Sequence, residues 1–188
     1  MKKNNIILII IYQAIGYMWH FVIYIGLIPV LIILLSQGMD YLLLEVLLKI
    51  NIVIPAELTP VYNLFAVLVF AYGLLIMVEA MIVLYEEAKV FPFTVISHKQ
   101  MQPGKLATSG WYGKVRHPMI LGYLIALIGV GLFIKSITLI IWWVPLIGAL
   151  MIEFAIASEE KKLLRWFGDE YRKYQNETPV LFPRIFKK

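Results

Sequence analysis

The sequence predicts an all-α, polytopic membrane helical bundle with about four transmembrane helices plus a C-terminal cytoplasmic amphipathic helix. Three observations carry that prediction. Of 188 residues, 61% are hydrophobic and 15% charged, and a mean hydropathy of +0.82 lies far outside the range of soluble globular chains. Four apolar runs, about 6–36, 61–85, 118–134 and 137–157, reach or approach the roughly 20 helical residues needed to cross a hydrocarbon core of about 30 Å. Beyond the last run, SEEKKLLRWFGDEYRKY at 158–174 sets apolar residues at 163, 164, 167, 171 and 174. That is helical spacing with a basic flank, suited to a helix on the membrane surface or closing over a cavity.

The first run follows Lys2 and Lys3 but is far longer than a signal-peptide core and lacks a small-residue cleavage site, so it reads as an uncleaved span. At about 1.5 Å per residue it exceeds the membrane thickness and must tilt, protrude or bend, with Pro29 the place to bend. Residues 37–60 hold Asp40, Glu45, Glu57 and the run LLLEVLL at 42–48, too short to span, and read as an external interfacial helix. The chain divides accordingly into an N-terminal unit, 1–60, and a membrane-embedded core, 61–188.

In the third run Pro118 suits a first helical turn, where its missing N–H has no partner to lose. Gly122, Ala126 and Gly129 share one face of that helix and permit a close helix contact. The IGVG at 128–131 follows no strand and reads as packing, not as a nucleotide loop. Lys135 and Ser136 form a tight external turn, so the third and fourth runs make an antiparallel hairpin.

There is no cysteine, which excludes disulfides, thiolate metal sites and cysteine nucleophiles; no metal centre is expected. Basic residues are retained on the cytoplasmic side. The N-terminus, the 86–117 loop and the C-terminal tail hold 2, 5 and 8 Lys and Arg, leaving only Lys49 and Lys135 for the other side. The expectation is an integral, multi-pass protein with both termini and the active site on the cytoplasmic face. The net charge of +5 then reflects topology and attraction to anionic lipid, with membrane lipids rather than nucleic acid as partners.

The hairpin brings the start of the third run and the end of the fourth to one level, so Arg116 and His117 should face Glu159 and Glu160. Taken singly, each has a plain reading: Arg116 a snorkelling anchor, His117 a helix-entry residue, the two acids a membrane exit. Together they offer two complementary surfaces. A helix N-terminus favours an anion such as a carboxylate, and the acids opposite take cationic or hydroxyl groups.

These residues resemble a family. The stretch LATSGWYGKVRHPM at 106–119, followed by Gly122, then Glu159-Glu160, Phe167-Gly168, Tyr171, Tyr174 and Leu181-Phe-Pro183, is similar to integral-membrane methyltransferases of the isoprenylcysteine carboxyl methyltransferase and phospholipid N-methyltransferase type. The likeness covers roughly 70–188 and includes the EEAKVFPF stretch at 86–93. It implies S-adenosylmethionine bound at the cytoplasmic end of the bundle without a Rossmann domain, and a lipophilic substrate entering sideways from the bilayer. By motif match, Tyr112, Arg116, His117, Pro118, Gly122, Glu159 and Glu160 belong to the cofactor region. The pattern departs at Ile120, where the family usually has Tyr; Tyr123 stands one turn on.

Methyl transfer from a sulfonium is an in-line displacement that asks mainly for positioning and desolvation. A carboxylate acceptor needs no base, whereas an amine must lose a proton. Glu153, seven residues before Glu160, is expected on nearly the same helical face, and intramembrane acids such as Glu153 and Glu79 usually face a cavity or partner. His20 reads as structural. Residues 175–182 contain Glu177 and no Lys or Arg, whereas carboxyl-methylating relatives tend to carry a basic residue there. An acid there favours an amine-bearing acceptor by about 1 kcal/mol, with Glu153, Glu79 or Glu177 as candidates for proton removal. The competing readings are an NADPH-dependent membrane reductase of the steroid-reductase type and a non-catalytic membrane protein.

Overall fold

The computed structural model describes residues 26–48, 54–89 and 104–184. Helix α1, Ile28–Asp40, continues as a wider π turn through Tyr41–Leu47, and α2 spans Thr59–Val83 with a similar extension, Leu84–Ala88. Helix α3 is Pro118–Phe133; α4 is Val144–Phe154, preceded by the π segment Leu139–Trp143 and followed by another, Ala155–Glu160. Two short helices close the chain, α5 at Lys161–Phe167 and α6 at Asp169–Glu177. No strand occurs among the described residues.

Each of the four long helices has a proline in its first turn, Pro29, Pro60, Pro118 and Pro145, where a fixed φ costs nothing and no helical N–H is lost. The continuous rods Ile28–Val46, Thr59–Ala88 and Leu139–Phe167 are long and apolar enough to cross a membrane, while Pro118–Phe133 is shorter. The chain is thus an all-α membrane bundle. Eight residues of the short α3 are buried, because it sits between α2 and α4.

The α2–α3 contact is backbone against backbone. A Cβ on Gly73 would stand 2.5 Å from the Gly122 carbonyl oxygen and from the Ala126 nitrogen, and one on Gly129 would stand 2.5 Å from the Phe70 nitrogen. The stripe Gly122, Ala126, Gly129 therefore does what small residues do in lipid: it replaces side-chain volume with close dispersion contact between helices. On the opposite side Gly148 of α4 receives Leu124. Leu121, Leu124 and Leu127 join Val144, Val115 and Leu181 in the main apolar core.

The first predicted boundary shifts. The 42–48 run is not a separate interfacial helix but prolongs α1, since no second proline interrupts the chain between Pro29 and Leu47. Asp40 finds its partner in the α3–α4 turn: its Oδ1 accepts from the Thr138 N–H at 2.9 Å, and the Ser36 carbonyl accepts from the Thr138 hydroxyl at 2.8 Å. Residues 6–25 of the first predicted span, and His20 with them, lie outside the described residues.

The predicted hairpin turn is tight. Lys135 adopts the left-handed region, φ 59°, and the Ser136 N–H closes back on the Gly131 carbonyl at 2.8 Å, a helix-capping geometry usually given to glycine. Two distortions then set the phase of the fourth span. Pro145 removes the donor for the Ile141 carbonyl, and the preceding turn is widened. Ser158 donates to the Phe154 carbonyl at 2.7 Å, within the turn that widens over Ala155–Glu160.

The predicted surface helix is broken in two at Gly168, φ 53°, which joins α5 to α6. Its apolar stripe faces protein: Leu163, Leu164 and Phe167 pack with Tyr171, Tyr174 and Leu106 into a second core that closes over the loop before α3.

Candidate active site

Arg116 and His117 end the loop that enters α3, and Glu160 ends the π segment leaving α4. The widened turn rotates Glu160 inward. Its Oε2 accepts from Arg116 Nη1 at 2.9 Å and from Gln175 Nε2 at 2.8 Å, and its Oε1 lies 2.9 Å from His117 Nε2. A carboxylate flanked by a guanidinium only accepts, so Nε2 of His117 carries the proton in this contact. Glu160 is 5% exposed and His117 7%. The expected facing of 116–117 with 159–160 is present.

Glu159 takes the other side of the imidazole, its Oε2 3.8 Å from His117 Nδ1, but its side chain is 65% exposed. Nearby, Tyr112 is held on the protein side of the turn Gly110–Gly113, where its carbonyl accepts from the Tyr174 hydroxyl at 2.7 Å. Burial first, then the charge of Glu159, pushes the Tyr112 hydroxyl well above the usual phenol range. Tyr171 and Tyr174 are pushed up likewise, chiefly by burial. All three are neutral donors at physiological pH.

The C-terminal tail fixes this loop from behind. The Arg116 N–H donates to the Pro179 carbonyl at 2.8 Å and the His117 N–H to the Val180 carbonyl at 3.1 Å. Those two amides, just ahead of the α3 N-terminus, are therefore bound to protein, and Pro118 has none to give. Beside the first-turn N–H groups of α3, which have no helical acceptor, a side-chain donor remains: Arg116 Nε is buried without a hydrogen-bond partner. A buried, unpaired guanidinium donor is costly and calls for an acceptor.

The remaining candidates divide. Pro118 is buried at the helix start, and Gly122 faces Gly73 and Met77 of α2, so its place is the helix contact. Glu79 lies beside the Gly110–Gly113 turn, its Oε1 2.8 Å from where a Gly110 Cβ would sit. Glu153 is exposed on the outer side of α4 and does not share a face with Glu160. The seven-residue rule assumes a regular helix, and the π turn between them shifts the phase by about 100° for each extra residue. Glu177 is exposed, 4.0 Å from Lys173. The structure thus gathers Tyr112, Arg116, His117, Glu159 and Glu160, sets Glu79 beside the adjoining turn, and leaves Glu153 and Glu177 outside.

Sequence reasoning missed Gln175, Arg116 Nε and the carbonyls of Pro179 and Val180. Gln175 follows Tyr174 directly on a short helix, so the stripe that buried Tyr174 was the available signal. The carbonyl contacts have no side-chain signature at all.

A bundle of apolar helices with a buried Arg–Glu–His cluster defines an integral-membrane helical protein with a polar site at one end of the bundle. The phospholipid methyltransferase family model matches residues 61–170, more than half of the chain, and the chain belongs to that family. Among curated proteins it is 29% identical over 97 residues to the protein-S-isoprenylcysteine O-methyltransferase of Schizosaccharomyces pombe, covering 48% of this chain and 38% of that one. It is 27% identical over 106 residues to a methanethiol S-methyltransferase of Crocosphaera subtropica, covering 51% and 36%. A nickel-cobalt-cadmium resistance protein, NccN, of Alcaligenes xylosoxydans xylosoxydans is 37% identical over 81 residues, covering 43% and 37%. The matches span little more than a third of those relatives' lengths.

Proposed function

We propose that this protein transfers a methyl group from S-adenosylmethionine to a lipophilic acceptor that enters from the bilayer, with the cofactor seated at the cytoplasmic end of the bundle. The observation that carries the reading is one cluster holding both an unpaired, buried Arg116 Nε and, across the His117 ring, the exposed Glu159 carboxylate. One offers a donor to a carboxylate, the other an acceptor to an amine or ribose hydroxyls, and a zwitterionic nucleoside has both. When bound, the cofactor supplies an electrophilic methyl on a sulfonium.

The chain's own residues do the positioning. Glu160 holds Arg116 and His117 in place, Tyr174 holds the Tyr112 backbone, and the tail carbonyls hold the loop, so the seat is formed before any ligand arrives. The apolar second core over the loop excludes water from one side. Family membership and the methyltransferase names of two relatives support transfer to a lipophilic acceptor. The cytoplasmic orientation rests on fifteen of seventeen basic residues falling on one side.

The test is a titration of the purified full-length protein with S-adenosylmethionine and, separately, NADPH, following thermal unfolding and equilibrium binding. S-adenosylmethionine should raise the midpoint, and Glu159→Gln should weaken its binding about tenfold without lowering the unliganded midpoint, because that exposed carboxylate supports little else. A midpoint that answers to NADPH alone would move the chain to the reductase class, and one that answers to neither would end the enzyme reading.

A further inference from the structure

Trp111 and Tyr112 are neighbours in one tight turn and serve opposite sides of it. Tyr112 belongs to the cluster with Glu159 and Tyr174. Trp111 turns to α2, where its ring meets Tyr72 edge-on with centroids 6.4 Å apart, while the Lys114 ammonium sits 4.1 Å from its centroid. Glu79 stands seven residues after Tyr72 and so on nearly the same edge of α2. Gly110, with φ 55°, brings the turn against that carboxylate; a Cβ there would lie 2.8 Å from Glu79 Oε1.

Glu79 is an acid within the apolar rod Thr59–Ala88, exposed, and engaged in no hydrogen bond or ion pair among the described residues. Such an acid in a membrane helix marks a ligand or a partner more often than it serves packing. Its level is right for an acceptor. The neighbouring Met77 packs on Gly122, and Glu79 is two residues further along α2, about 3 Å nearer the start of α3.

We propose that Glu79, Tyr72 and Trp111 form the headgroup subsite of the acceptor, that the head it takes is an ammonium, and that Lys114 covers the Trp111 side of this subsite in the resting protein. The proposal rests on the methyl-transfer reading. A carboxylate beside an aromatic face selects a cation twice over, by charge and by the ring quadrupole, and repels an anionic head. Lys114 shows that the Trp111 face accepts an ammonium, and as an exposed side chain on a loop it can leave. Once an amine head is seated, Glu79 receives the proton that the ammonium nitrogen loses, which frees the nitrogen lone pair for methylation; the proton then passes from the carboxyl to water.

The experiment uses full-length protein in nanodiscs with labelled S-adenosylmethionine, offered an aminophospholipid or a prenylcysteine, and compares Glu79→Gln and Lys114→Ala with the unaltered chain. Label should enter the amine. Glu79→Gln should raise the KM for the aminophospholipid about tenfold while the cofactor Kd stays within about twofold, and Lys114→Ala should lower that KM about threefold, since a competing cation is gone. Cofactor binding with label entering only the prenylcysteine, or an unchanged amine KM in Glu79→Gln, overturns the subsite alone. Failure of the unaltered chain to bind the cofactor overturns the methyl-transfer reading and the subsite with it.

Discussion

The two ends of the bundle use polar groups in different ways. At the turn end every described bond closes a backbone group: Thr138 N–H to Asp40, the Thr138 hydroxyl to the Ser36 carbonyl, Leu139 N–H to Ser136 Oγ at 3.2 Å, and the Tyr62 hydroxyl to the Leu132 carbonyl at 2.8 Å. At the site end bonds to backbone carbonyls hold the loop, and beside them charged bonds run between side chains, joining Glu160 to Arg116, His117 and Gln175. Each end also has one buried donor without a partner, Arg116 Nε at the site end and Trp143 Nε1 just past the turn, so what separates a site from a joint is the charged side-chain cluster around that donor.

The largest effect that would sharpen this contrast is the loss of Glu160. Removing one member of a buried ion pair strands the other, at a cost of about 3–5 kcal/mol, and here Glu160→Ala strands Arg116, His117 and Gln175 together. Thermal unfolding in detergent should show a large drop for Glu160→Ala and a smaller one for Glu160→Gln, which keeps an acceptor. Equal, small drops would mean that the cluster is not the keystone of this end.

Asp40→Ala makes the corresponding cut at the turn end. It leaves the Thr138 N–H without its charged acceptor, so the expected loss is about 1.5–3 kcal/mol. Cofactor affinity should not move. A change in S-adenosylmethionine binding in this variant, measured by equilibrium dialysis, would show that the two ends are coupled and break the comparison.

How much of this was legible in the sequence differs between the same two regions. The facing of 116–117 with 159–160 followed from hairpin topology, and the buried stripe of 163, 164, 167, 171 and 174 from spacing alone, because both depend on which residue types recur and where. The placement of Glu153 opposite to expectation did not follow. It depends on π turns at Leu139–Trp143 and Ala155–Glu160, whose causes are a proline and a serine hydroxyl acting locally. The reach of α1 beyond residue 36 was hidden for a related reason: Asp40 reads as a breaker of an apolar span until its partner, 98 residues away, is known.

The smallest effect tests the contrast most cleanly, because the same bond occurs at both ends. Tyr62 and Tyr174 each donate a hydroxyl hydrogen bond to a backbone carbonyl, of Leu132 at 2.8 Å and of Tyr112 at 2.7 Å. Tyr→Phe deletes one oxygen in either place, keeps the ring, and should cost about 0.5–1.5 kcal/mol in both. The functional consequences should differ. Tyr174 holds the turn that carries Tyr112 and Trp111, so Tyr174→Phe loosens the cofactor seat and should weaken S-adenosylmethionine binding about threefold to tenfold. Tyr62→Phe only loosens a helix joint and should leave that affinity within about twofold. Equal affinities in the two variants, with both unfolding midpoints lowered, would show that the ordering of the loop does not depend on α6 and would shift its control to the Pro179 and Val180 carbonyls.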